Sequence, residues 1–164
     1  MNNEVFKRLL LLVALCLIQS LVLNHIHLFY CATPLLYILL PLYFPTDQPR
    51  WSALLWSFCL GLLVDVFSNT PGVAAGAMAF VGLVQPYVLA MFAPHDTDAP
   101  LRPSLKEMGW LKFTTYALLV VLAFCVVFFL LESFSFFNWM LILMSIGGST
   151  LLTLIIIIII EKLK

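Results

Sequence analysis

Charged residues are scarce in this sequence, and that scarcity excludes a soluble globular domain. Only 10% of the 164 residues are Asp, Glu, Lys or Arg, whereas 63% are hydrophobic. A soluble domain carries about 25% charged residues, so the chain is predicted to be an integral membrane protein. The eight basic and eight acidic residues balance to a net charge of zero, and no overall field favours nucleic acid as a partner.

Catalytic and metal-binding motifs are also missing. The sequence contains no G-x-S-x-G, H-E-x-x-H, C-x-x-C or glycine-rich phosphate loop, the patterns that place a nucleophile, a metal ion or a phosphate group. The four cysteines are scattered and are interpreted as small hydrophobic residues buried in the membrane. His25 and His27 are interpreted as polar residues of an outer turn. We therefore expect no enzymatic activity, no cofactor and no metal site.

Long apolar runs fill nearly the whole chain. A membrane-spanning helix needs about 20 mostly apolar residues. The second run is short and contains Pro34 and Pro41, which disturb helical hydrogen bonding, so a re-entrant segment is an alternative there. The predicted fold is an all-α membrane protein, a single domain of six transmembrane helices at residues 9–24, 28–44, 51–68, 73–93, 110–131 and 136–160.

The basic residues favour six spans with both termini in the cytoplasm. Basic residues concentrate on the cytoplasmic side of membrane proteins, and six spans place all eight of them there, whereas five spans divide them between the two sides. Trp51, Trp110 and Trp139 lie near the starts of three spans, where indole prefers the headgroup region. The eight basic residues are Lys7, Arg8, Arg50, Arg102, Lys106, Lys112, Lys162 and Lys164.

Asp65 is the most informative polar residue, because it lies one turn from the predicted outer end of the third span. An ionisable group inside a membrane indicates a functional site unless it is paired, neutralised or hydrated. Two interpretations stay open for Asp65, a functional role or a structural cap on the start of the fourth helix. Gln19 and Gln85 either form hydrogen bonds between helices or line a small cavity.

Small residues recur every four positions in two of the predicted spans, which places them on one face of each helix. Such faces allow helices to approach closely, so both are predicted to contact another helix or a partner protein. At the start of the fourth span and within it, the small residues are Gly72, Gly76, Ala75 and Ala79. In the sixth span they are Ser145, Ser149 and Thr153.

The stretch around Asp65 carries a family resemblance. Gly61-x-x-x-Asp65, a polar turn, Pro71-Gly72 and the following small residues resemble the rod shape-determining protein MreD family. The chain length, the basic amino-terminal start and the longer loop after the fourth span are also similar to that family. Gly61 and Asp65 are therefore added to the residues expected in helix packing or partner contact.

This resemblance implies a fold and a function. The fold is expected to be similar to the six-helix substrate-binding subunits of energy-coupling-type vitamin transporters. The function is expected to be that of a non-enzymatic scaffold in the bacterial inner membrane, within the complex that elongates the cell wall and maintains rod shape. Expected partners are an MreC-type membrane protein and, through it, peptidoglycan synthases and actin-like MreB filaments, together with membrane lipid.

One alternative function remains open at this stage. Six helices and a polar pocket near the outer face also suit the substrate-capturing subunit of a transporter for a small, vitamin-like molecule. In that interpretation Asp65, Asn69 and Gln85 form the pocket. A bound small molecule and an associated ATPase module distinguish the transporter from the scaffold.

Overall fold

The computed structural model describes residues 2–21, 34–70, 72–92, 101–133 and 139–163, and all regular structure in these ranges is helical. The described residues do not include His25, His27, Pro71 or most of the predicted loops 94–103 and 132–136. In chain order the elements are α1 (Asn2–Leu21), a 3₁₀ turn (Leu36–Ile38), α2 (Leu39–Leu42), α3 (Arg50–Ser68), α4 (Val73–Phe92), α5 (Leu105–Met108), α6 (Trp110–Glu132) and α7 (Trp139–Leu163).

Four of the described helices are long and apolar enough to cross a membrane, namely α3, α4, α6 and α7. They contain 19, 20, 23 and 25 residues. At a rise of 1.5 Å per residue they measure about 28 to 38 Å, which matches a hydrocarbon core of about 30 Å. The chain is therefore a multi-pass membrane protein, and the four helices coincide closely with the predicted spans 51–68, 73–93, 110–131 and 136–160.

The first two predicted spans have a different structure. Helix α1 begins at Asn2, earlier than the predicted start at residue 9, and its apolar stretch Arg8–Gln19 is shorter than the other four. In the second predicted span, the described residues 34–44 contain only the three-residue 3₁₀ turn and the four-residue α2. Pro34 and Pro41 explain the interruption, because proline has no N–H to donate along a helix. We call residues 34–44 the broken segment.

The broken segment lies at the centre of the helix bundle. Around it, α1 packs against α3, α3 against α4, α4 against α6, and α6 against α7. The segment contacts α1, α3, α4 and α7, and the ring of Tyr37 meets Phe124 of α6 edge to face with centroids 5.4 Å apart. Tyr37, Ile38 and Leu42 are fully buried. This segment thus supplies the middle of the hydrophobic core.

The broken segment runs parallel to α7. Near its start, the Leu35 N–H donates to Oγ1 of Thr153 at 3.2 Å. Near its end, the Tyr43 hydroxyl donates to Oε2 of Glu161. In both pairs the two residues are 118 positions apart in the sequence. A later residue of the broken segment therefore contacts a later residue of α7, and the two segments run in the same direction. The broken segment therefore runs beside the last part of α7, towards the end where α7 finishes.

The described basic side chains gather at that same end of the bundle, which we call the basic end. The Arg50 guanidinium lies 4.8 Å from the ring centroid of Tyr87, which joins the start of α3 to the last part of α4. The Lys162 ammonium lies 4.9 Å from the ring of Trp110, which joins the end of α7 to the start of α6. The turn between α3 and α4 lies at the opposite end. The described basic side chains are Arg8, Arg50, Arg102, Lys106, Lys112 and Lys162.

Candidate helix-contact site

The carboxylate of Asp65 is buried against the first turn of α4. Oδ1 accepts hydrogen bonds from the Ala74 N–H at 2.8 Å and the Thr70 hydroxyl at 3.0 Å, and Oδ2 accepts one from the Ala75 N–H at 2.8 Å. The first N–H groups of a helix have no partner within it, and the helix dipole favours a negative charge there. Asp65 therefore caps the start of α4 from the neighbouring helix α3. Of the two interpretations left open by the sequence, the structure supports the structural cap.

Gly61 allows α3 to come close enough for this cap. It lies four residues before Asp65 and thus on the same face of α3. A Cβ atom on Gly61 would lie 2.6 Å from the carbonyl oxygen of Ala74 and 2.7 Å from Cα of Ala75. Both are backbone atoms, which cannot rotate away. Further along α4, Gly82 makes a second close approach, because a Cβ atom on Gly82 would lie 3.0 Å from Cα of Leu54 in α3.

The turn between α3 and α4 depends on two left-handed residues. Asn69 ends α3 with φ 56°, and its N–H donates to the carbonyl oxygen of Asp65. Gly72 has φ 83°, a conformation that glycine adopts at no steric cost. Nothing lies within 4 Å of a Cβ position on Gly72. Gly72 therefore serves the turn itself, and the close helix contact is made by Gly61.

The remaining small residues of α4 lie on different sides of the helix. Ala75 is buried against α3, whereas Ala79 is half-buried. A Cβ atom on Gly76 would lie 3.1 Å from Cδ1 of Leu131, so Gly76 lies between α4 and α6. The contacts of these residues thus divide between two neighbouring helices, instead of forming the single face that the spacing of four residues predicts.

A surface groove opens beside Asp65. It has a volume of about 550 Å³, and we call it the Asp65 groove. Apart from Asp65, its α3 side is apolar, and its α4 side consists of small residues, a combination that suits contact with another helix in a membrane. The lining residues are Phe58, Leu62, Asp65, Val66, Asn69, Gly72, Ala75 and Gly76.

The predicted small-residue face of α7 turns towards the core in its second half. Ser149 and Thr153 are fully buried, whereas Ser145 is half-buried. Thr153 accepts the hydrogen bond from the backbone of Leu35. The buried part of this face therefore contacts the broken segment and other parts of the same chain.

Polar side chains of the surrounding helices bind the exposed backbone groups of the broken segment. Nε2 of Gln19 donates to the carbonyl oxygen of Pro34 at 3.0 Å, and Oε1 of Gln19 accepts from the Leu36 N–H at 2.9 Å. At membrane depth, irregular backbone is tolerated only where protein groups or water satisfy it. Gln19 thus forms hydrogen bonds between α1 and the broken segment. Hydrogen bonding between segments was one of the two roles expected for it.

Gln85 and Tyr116 bind the other end of the broken segment. Nε2 of Gln85 donates to the Phe44 carbonyl oxygen at 3.1 Å and to the Tyr116 hydroxyl at 2.8 Å. The Tyr116 hydroxyl in turn donates to the Leu42 carbonyl oxygen at 3.0 Å. Sequence analysis missed Tyr116. Its position inside an apolar span could have indicated this role, because a buried tyrosine hydroxyl usually has a hydrogen-bond partner.

Replacing each of two buried tyrosines by phenylalanine is expected to change the stability of the protein differently. Tyr116→Phe removes both hydrogen bonds of a fully buried hydroxyl, and we expect a loss of about 1–3 kcal/mol in the free energy of unfolding. Tyr37 is equally buried, but its hydroxyl has no partner among the described residues. We expect Tyr37→Phe to leave stability unchanged or higher. Denaturant unfolding in detergent micelles compares the two variants, and equal losses would contradict the expected difference.

The three residues of the expected transporter pocket do not come together. Asp65 and Asn69 both line the Asp65 groove. Gln85 lies 12 residues beyond the start of α4, about 18 Å along the helix axis, and its amide is bound to Phe44 and Tyr116. Within the described residues, no group of three or more His, Cys, Asp or Glu side chains is placed to hold a metal ion.

Comparisons of the chain with protein-family models, with curated proteins and with solved structures find no match. The function is therefore inferred from the residues and their geometry.

Proposed function

We propose that this chain is a non-enzymatic scaffold of the cell-elongation complex in the bacterial inner membrane, where it regulates rod shape and peptidoglycan synthesis. The proposal starts from the resemblance of residues 61–76 to the MreD family. One structural observation supports it most directly. Gly61 and Asp65 join α3 tightly to the start of α4, and the Asp65 groove lies beside this junction. A rigid junction next to an open groove suits a scaffold that holds a partner helix.

The proposed topology has six membrane crossings and two cytoplasmic termini. In it, α1 is the first crossing and the broken segment, with the residues before it, is the second. Two observations support this topology. The broken segment runs parallel to α7 and towards the basic end, and the described basic side chains lie together at that end. The positive-inside rule then assigns the basic end to the cytoplasm.

The proposed partner is an MreC-type membrane protein, which connects the scaffold to peptidoglycan synthases and to MreB filaments. We assign its contact to the Asp65 groove because an apolar wall faces small residues there. Small residues allow the backbones of two membrane helices to approach closely. The groove is at the end opposite the basic end, so in the proposed topology it lies towards the outer leaflet.

Gly76→Leu tests this contact. A leucine at position 76 places a bulky side chain in the groove, while its Cβ atom meets only the flexible end of Leu131. We expect affinity purification in mild detergent to recover at least tenfold less of the MreC-type partner with this variant. Gly147→Leu is the matched control, because nothing lies within 4 Å of a Cβ position on Gly147. Its partner recovery is expected to match that of the wild type.

The same purification distinguishes the scaffold from the transporter alternative. Normal recovery of the partner with folded Gly76→Leu would reject the groove as the contact site. Recovery of an ATPase module together with a bound small molecule, and without the MreC-type partner, would reject the scaffold and support the transporter subunit.

A further inference from the structure

A second cavity lies at the basic end, between α1, the broken segment and the chain before α5. It has a volume of about 220 Å³, and we call it the arginine cavity. This site is separate from the Asp65 groove, which lies at the opposite end of the bundle. The lining residues are Arg8, Leu11, Leu40, Tyr43, Phe44, Pro45 and Arg102.

The charge in the arginine cavity is positive. Its lining includes two guanidinium groups and no carboxylate. Two nearby acids among the described residues are held by other groups. Glu161 accepts hydrogen bonds from the Tyr43 hydroxyl and the Leu105 N–H, and Glu107 accepts one from the backbone N–H of Arg102. Arginine is suited to oxyanions, because its planar fork of N–H donors matches the oxygen atoms of phosphate.

Apart from the Tyr43 hydroxyl, the rest of the lining is apolar and continues into the exposed apolar surface of α1. Leu40 and Phe44 are buried, whereas Leu11 is 41% exposed on α1. The Arg8 guanidinium lies 5.8 Å from the ring centroid of Phe44, which fixes it at the boundary between charged and apolar surface. Pockets that enclose whole drug-sized ligands measure about 300–1,000 Å³. This smaller cavity suits a headgroup whose acyl chains remain outside.

We propose that the arginine cavity binds the phosphate group of an anionic phospholipid. Arg8 and Arg102 contact the phosphodiester, and the acyl chains follow the exposed apolar face of α1 beside Leu11. Basic pockets between membrane helices are typical binding sites for anionic headgroups. The proposal depends on the membrane location of the chain and not on its role in cell elongation, so either can fail without the other.

A lipid titration tests the proposal on the purified full chain in a non-ionic detergent. Phosphatidylglycerol, phosphatidylcholine and inorganic phosphate are added separately, and binding is measured by native mass spectrometry and by the shift in melting temperature. We expect phosphatidylglycerol to bind and to raise the melting temperature. Phosphatidylcholine and inorganic phosphate are expected to have little effect. Each arginine charge is expected to strengthen the affinity for an anionic lipid about fivefold. The double variant Arg8→Gln/Arg102→Gln should therefore weaken binding of phosphatidylglycerol about 30-fold.

Arg50→Gln/Lys112→Gln is the matched control, because it removes two positive charges from the same end outside the cavity. It should retain wild-type affinity. If the Arg8 and Arg102 double variant does not fold, Arg102→Gln alone changes an exposed residue and should weaken binding about fivefold. Equal binding of phosphatidylcholine, an equal effect of inorganic phosphate, or an equal loss in the control variant would each overturn the proposal.

Discussion

Gly61→Ala is expected to destabilise the protein by about 2–3 kcal/mol, the upper part of the usual range for overpacking a core. The added methyl group would lie 2.6 Å from the Ala74 carbonyl oxygen and 2.7 Å from Cα of Ala75, so α3 must move away from α4. That movement also lengthens the hydrogen bonds between Asp65 and the start of α4. Alanine is more favourable than glycine in a helix by about 1 kcal/mol. We expect the steric overlap to outweigh this gain, so that the variant is less stable than the wild type.

The measurement is denaturant unfolding in detergent micelles, with Gly147→Ala as the control. Both variants exchange a helical glycine for alanine, but the Cβ position on Gly147 is open. We expect Gly147→Ala to be neutral or to stabilise the protein by up to about 1 kcal/mol through helix propensity. If both variants unfold at the wild-type denaturant concentration, the close contact at Gly61 does not hold the two helices together.

Asp65→Ala is the second substitution with a large expected effect, a loss of about 3 kcal/mol. The reason is that two buried N–H groups of α4, from Ala74 and Ala75, lose a charged acceptor at once. Hydrogen bonds to charged groups contribute about 1.5–3 kcal/mol, and an unsatisfied buried donor costs about 1–3 kcal/mol. The same unfolding measurement in detergent micelles gives the loss.

Asp65→Asn and Asp47→Ala complete this test. Asparagine keeps one oxygen acceptor but places an NH₂ group opposite the Ala75 or Ala74 N–H, so we expect about half the loss of the alanine variant. Asp47 is exposed three residues before the start of α3, and its removal should change stability by less than about 0.5 kcal/mol. Equal stability of Asp65→Ala and Asp47→Ala would contradict the cap.

The sequence predicts the long helices well because their signal is local. Each of α3, α4, α6 and α7 is a continuous apolar run of sufficient length, and turn residues such as Asn69 and Gly72 lie between the runs. The broken segment is harder to predict. Pro34 and Pro41 indicate an interruption, but they do not tell which side chains elsewhere bind the freed backbone groups.

The contacts of the candidate site are partly visible in the sequence. The spacing of Gly61 and Asp65 places both on one face of α3, and the structure adds that this face meets the first turn of α4. The partners of Gln85 could not be predicted, because Phe44 and Tyr116 lie 41 and 31 residues away in the chain. Hydropathy and spacing carry no information about such distant pairs.

The most direct test of the proposed scaffold is depletion of this protein from the cells that express it, which the proposal expects to be rod-shaped, followed by imaging of cell shape and of newly made peptidoglycan. We expect the cells to become round and to lose wall synthesis along their sides. Re-expression of the wild-type chain should restore both, and Gly76→Leu should restore neither. Depleted cells that keep their rod shape and an unchanged pattern of wall synthesis would contradict the proposed function.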